Sequence, residues 1–154
     1  MPPKKKIKTT IPLQVIDMQE DGYHLLVNII VFGKNFILVL DTGASKTAFD
    51  QSMVEAEGRD FILSDRLSTG LGTNTMSSST AIIHDMSVGD LLVEEFEVAV
   101  LDLSTINVAY EQLGHPKVLG VLGGELLMKY QAVIDYGKRQ LIMTVRNKKD
   151  LRSF

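Results

Sequence analysis

Cysteine is absent from the 154-residue chain, which excludes disulfide frameworks, thiolate zinc sites, iron–sulfur clusters and a cysteine nucleophile together. Long apolar runs are missing as well. The basic start Met1-Pro2-Pro3-Lys4-Lys5-Lys6-Ile7-Lys8 is followed by no stretch of signal-peptide or membrane-spanning length, so a cytoplasmic chain with no membrane partner is expected. Histidine is scarce: His24, His84 and His115 lie far apart, without the paired spacing of a metal site, and neither a metal nor another cofactor is expected. No Gly-x-Ser-x-Gly elbow and no phosphate-binding glycine loop is present, which removes the signatures of a serine hydrolase and of a nucleotide-binding enzyme.

A coherent excess of positive charge is also lacking. The net charge is −3, and the two ends, residues 1–10 and 146–154, carry +7 between them, which leaves −10 on residues 11–145. An acidic body argues against a nucleic-acid partner, because neutralising phosphates requires a continuous basic face. What the chain does have is a globular composition, 45% hydrophobic and 23% charged. At this length one core in a single domain spanning 1–154 is expected, with basic tails at about 1–10 and 146–154.

The hydrophobic pattern predicts many short strands and a few short helices. Residues 23–40, YHLLVNIIVFGKNFILVL, are almost all β-branched, aromatic or leucine and break only at Gly33-Lys34-Asn35, which predicts a hairpin. A strand over 12–18 precedes it. Asp50 is placed to cap a helix over 51–57 that Gly58 closes. Strands are predicted over 81–88 and 91–101, joined at Gly89-Asp90, and a helix begins at Ser104 or Thr105 and ends at Gly114. A short apolar strand over 118–122, a helix over 125–130 and a last hairpin over 131–145 complete a mainly β chain.

The string with chemical content is Phe36-Ile37-Leu38-Val39-Leu40-Asp41-Thr42-Gly43-Ala44-Ser45. Five apolar residues predict a strand buried on both faces, and the chain then delivers a carboxylate at the strand's end. Desolvating an isolated carboxylate costs several kcal/mol, so a charge leaving a core strand calls for a function or a partner. Gly43 permits a tight turn and a close backbone approach, and the Thr42 hydroxyl can fix that turn by hydrogen bonding. An Asp-Thr/Ser-Gly triplet alone is a weak signal, arising by chance in roughly one chain in ten. Here a second motif, Gly120-Val121-Leu122-Gly123-Gly124-Glu125-Leu126-Leu127, lies downstream, and the combination is far more specific.

From about Pro12 to Val145 the chain resembles the retropepsin-like aspartic proteases, the single-lobe relatives of pepsin that include retroviral proteases and bacterial homologues. Asp41-Thr42-Gly43 looks like the family's catalytic triplet, with Ala44-Ser45 as a common continuation, and Val121-Leu122-Gly123 looks like its second glycine motif. The resemblance implies a closed, barrel-like single lobe with one or two short helices, working as a dimer on peptide or protein substrates. It also implies a flap over the substrate, for which Gly70, Leu71, Gly72 and Thr73 in the polar stretch 69–79 are the candidates. The chain departs from the family in the length of that polar stretch and in an extra helical segment near 108–113.

This chemistry needs two carboxyl groups sharing one proton, one to draw a proton from the attacking water and one to donate to the carbonyl oxygen. Only one such triplet is present, and the nearest look-alike, Asp135-Tyr136-Gly137, sits in a hairpin turn. The second carboxylate must therefore come from Asp41 of another copy, in an isologous homodimer. A peptide bond flanked by apolar residues is the expected target. The competing expectation is a module of the same fold that dimerises or binds peptides without cutting them.

Overall fold

A computed structural model describes residues 6–58, 62–67, 77–146 and 148–151. Strand β1 (Ile7–Asp17) alternates exposed and buried residues along most of its length, the period-two signature of a half-buried strand. It begins inside the basic N-terminal stretch and changes partner near Pro12. Residues 7–12 pair antiparallel with β12 (Gln140–Val145), and residues 13–17 pair with β2 (Tyr23–Val31). Proline has no N–H to donate to a ladder, so the switch falls where pairing is weakest.

The predicted hairpin forms from β2 and β3 (Lys34–Leu40), and the last three residues of β3 are buried on both faces, as the apolar run requires. After β3 come β4 (Ala48–Asp50) and helix α1 (Gln51–Ala56). The Asp50 side chain accepts from the Met53 N–H, which makes it the N-cap, and Gly58 leaves the helix at φ +67°. Strands β5 (Ile62–Leu67) and β6 (Ser77–Ile83) pair antiparallel.

The strands expected over 81–88 and 91–101 are each broken in two. Asp85 at φ +62° separates β6 from β7 (Met86–Val88), and β8 (Leu91–Val93) is distinct from β9 (Phe96–Leu101). The turn at Gly89-Asp90 joins β7 to β8 as expected, whereas β6 leaves that hairpin to pair with β9. Helix α2 (Ser104–Gln112), β10 (Gly120–Leu122), α3 (Gly124–Lys129) and β11 (Val133–Asp135) lead into β12.

The main pairing path runs β11-β12-β1-β2-β3-β10-β4-β9-β6-β5. Its order corrects one expectation. Among the described residues the sheet is open rather than a closed barrel, because β11 and β5, which would have to meet, each pair only with the other strand of their own hairpin. The described residues hold the three α-helices that the hydrophobic pattern predicts, against the one or two that the resemblance implies, and the additional one is α2.

The feature that builds the site is the position of β10. It lies between β3 and β4, which are neighbours in sequence, pairing parallel with the first and antiparallel with the second. Gly120 makes this possible: a Cβ built there would stand 1.9 Å from the Ala48 carbonyl oxygen. Apolar side chains fill both faces of the sheet. The larger cluster gathers Leu25, Val27, Leu38, Phe49, Leu122 and Leu141, and the smaller joins Leu26, Val39, Val118 and Val121 to Tyr110 of α2.

Candidate active site

Asp41 follows directly on β3, and its N–H donates to the Leu122 carbonyl at 3.0 Å, so β10 holds the backbone of the triplet in place. The chain then turns. The Gly43 N–H donates to Asp41 Oδ1 at 3.0 Å and the Ala44 N–H to the Asp41 carbonyl at 3.2 Å. The turn is thus fixed by the carboxylate itself and not by the Thr42 hydroxyl, whose side chain is exposed. Asp41 is half-buried, with apolar Leu40 behind it and exposed Thr42 and Gly43 ahead. A carboxylate so placed keeps contact with solvent while its backbone is immobile, which is what a group meant to act on a bound molecule requires.

The loop after Asp41 is clamped to the second glycine motif. Thr47 Oγ1 donates to Glu125 Oε1 and accepts from the Gly123 N–H at 3.0 Å, and the Thr47 N–H donates to Glu125 Oε2. The Gly124 N–H donates to the Ala44 carbonyl at 2.7 Å. A Cβ on Gly123 would stand 2.5 Å from the Lys46 carbonyl carbon, so only glycine allows this approach. Of the second motif, Val121 and Leu122 supply strand β10 and Gly123 supplies the contact. The Thr47–Glu125 pair joins residues 78 positions apart, and the motif that holds Glu125 carries no signal in the sequence pointing to Thr47.

Asp50 is a second carboxylate in this region, 3% exposed, and its work is structural. It accepts from Ser52 Oγ at 2.6 Å, from the Met53 N–H, and from the Leu103 N–H at 2.8 Å. With these bonds satisfied it ties the start of α2 to α1.

Beside the triplet stands Tyr110, 1% exposed, whose hydroxyl lies 2.7 Å from His24 Nδ1. Burial and the nearby charge of Asp41 push its phenol up to about 12. His115 packs edge-on against the same ring and places Nε2 2.7 Å from the Asp17 carbonyl oxygen, so two histidines 91 positions apart meet at one tyrosine. Because the folded-state pKa lies above the ordinary value, the unfolded chain loses the proton first. The stabilisation is therefore complete below about pH 10 and is lost between about 10 and 12. Tyr110→Phe is expected to flatten the fall in stability across that alkaline window, read as urea midpoints at pH 9, 10 and 11. An unchanged slope would show that Tyr110 does not carry the effect.

The flap candidates Gly70, Leu71, Gly72 and Thr73 lie outside the described residues; the strands on either side of them, β5 and β6, are paired. Among the described residues, no group of three metal-ligating side chains occurs, and no helix is long and apolar enough to cross a membrane.

Residues 27–126 match the family described as aspartyl protease, a span that holds both the triplet and the second glycine motif. No curated protein matches the chain in sequence. Among solved structures, the chain is similar to the crystal structure of a retropepsin-like aspartic protease from Rickettsia conorii. That likeness has a TM-score of 0.53 and 20% identity and covers 91% of this chain and 92% of that one. A second similar structure is the retroviral protease-like domain of Ddi1 from Leishmania major, with a TM-score of 0.49 and 16% identity over 83% of this chain and 91% of that domain. The first likeness shows a retropepsin-like fold.

Proposed function

The chain belongs to the aspartyl protease family, and from that premise we propose that it is an aspartic endopeptidase, active as a homodimer, in which a water held between two Asp41 carboxylates attacks the peptide carbonyl. The observation that carries this reading is the rigid, solvent-facing Asp41 turn, hydrogen-bonded to β10 and clamped through Thr47 and Glu125. In the reaction, the ionised Asp41 takes a proton from the water as its oxygen bonds to the carbonyl carbon, and the protonated Asp41 gives its proton to the carbonyl oxygen. Collapse of the tetrahedral species then breaks the C–N bond: the Asp41 that took the water's proton gives it to the departing nitrogen, and the other Asp41 takes a proton back from a hydroxyl on the tetrahedral carbon, which leaves the carboxylic acid and restores the pair.

One chain supplies one carboxylate of this kind, so a two-fold axis beside the Asp41 turn is part of the proposal. Thr42 and Gly43, both exposed, are the residues such an axis would cover. Ala44 bears on the pH of action. It has no hydroxyl to donate to the pair, and a donor there would stabilise the ionised form and lower the apparent pKa values. Activity is therefore expected to peak at mildly acidic to neutral pH.

The test is to incubate the wild type and Asp41→Asn with a mixed peptide library from pH 4 to 8 and to read cleavage by mass spectrometry. Cleavage by the wild type alone is the expected result. A confirmed dimer that cuts nothing while still binding peptides would mark a non-catalytic binding module, and a rate peaking near pH 2 or 3 would contradict the role given to Ala44.

A further inference from the structure

Helix α2, the segment by which the sequence departs from the family it resembles, packs on the flank of the Asp41 turn. Ile106 and Tyr110 on its inner face share one apolar cluster with Val39 and Ala44, which stand two residues before and three after Asp41, and with Val121 of the second glycine motif. The sensitivity of the Tyr110 phenol to the Asp41 charge agrees with that proximity. The helix is a fixed part of the fold. The Leu103 N–H is bound to Asp50, the Asn107 side chain exchanges two hydrogen bonds with the Val118 backbone at 2.9 and 2.8 Å, and Tyr110 is held by His24. Ties to three separate elements suit a wall and not a lid.

Val39, Ala44 and Val121 flank the Asp41 turn on this side, and Tyr110 belongs to the same packed cluster, so the space beside the turn is already filled from α2. We infer that α2 sets the specificity of the site: with Tyr110 and Ile106 filling this ground, it accepts peptides whose residues at the cut are small, such as glycine, alanine or serine, and rejects large ones. The inference rests on Asp41 as the reacting carboxylate. A homodimer repeats α2 on both sides of its axis, so the restriction applies to both residues of the scissile bond. It replaces the expectation of apolar flanking residues with one of small residues.

The experiment uses the full chain as wild type, Ile106→Ala and Tyr110→Leu, each also carrying Asp41→Asn for binding measurements. Folding of each is checked by far-UV circular dichroism. Ile106 is half-buried, so its truncation tests the wall even if Tyr110→Leu does not fold. Two peptides are compared, identical except for Ala-Ala or Phe-Phe at the cut. The Asp41→Asn protein is expected to bind the Ala-Ala peptide about 10-fold more tightly, and Ile106→Ala to bring the two affinities within about 3-fold. The same shift is expected in kcat/KM for the proteins that retain Asp41. Equal binding of both peptides, or a preference unmoved by either substitution, overturns the inference. If binding shows the preference and no protein cuts, the role of α2 stands and the protease reading falls.

Discussion

Two copies of the chain joined by a flexible linker, with Asp41→Asn in one copy only, will cleave peptide at least about 10³-fold more slowly than the tethered wild type. The loss is expected although one Asp-Thr-Gly remains intact, because a single carboxyl cannot be proton donor and proton acceptor in the same step. The amide side chain is nearly isosteric, and its carbonyl oxygen can still accept from the Gly43 N–H, so Gly43 keeps a partner at position 41. Dimerisation and thermal stability should therefore survive. The measurement is kcat on one peptide for the four tethered combinations, with mass confirmed by light scattering. Half the wild-type rate in each singly substituted form would mean that each subunit works alone, and would end the shared-proton mechanism.

Gly120→Ala is the substitution expected to damage the fold most. Its Cβ would lie 1.9 Å from the Ala48 carbonyl oxygen and 2.9 Å from the Phe49 Cα, and both obstacles are backbone. Neither can rotate away. Strand β10 cannot retreat either, because its other edge is paired with β3 in register Gly120↔Leu38. Relief must come from separating β10 from β4, which also releases the Asp41 N–H bond to Leu122. A loss of about 3–5 kcal/mol is expected, comparable with the more severe core substitutions and enough to unfold many domains of this size. Gly137→Ala is the control: its Cβ would meet only Asp135 Oδ1, at 3.4 Å, and a change within about 0.5 kcal/mol is expected. Urea midpoints for both variants decide the matter. Similar midpoints would mean that β10 has room the geometry denies it.

Much of the local structure was readable because its causes lie within a few residues. The Asp50 cap, the Gly58 exit, the turn at Gly89-Asp90 and the buried run before Asp41 each depend on neighbours in the chain. The triplet itself was readable because a carboxylate at the end of a core strand is chemically conspicuous. Where the reading failed, a pattern continued while its partner changed. The strand expected over 81–88 runs through Asp85, but β6 and β7 pair with different strands. Strand β5 belongs to a segment whose polar end masked its pairing with β6.

By itself the sequence determined that an acid follows a buried strand, that a glycine allows the turn after it, and that only one such acid exists per chain. Those are statements about residue type and order, which covalent geometry and desolvation enforce without reference to distant segments. The tertiary structure alone decided that β10 separates β3 from β4, that Glu125 clamps Thr47 across 78 positions, and that Tyr110 stands beside Asp41. These are contacts between segments far apart in the chain, chosen by which apolar faces and unpaired backbone groups could satisfy one another once the whole sheet had formed.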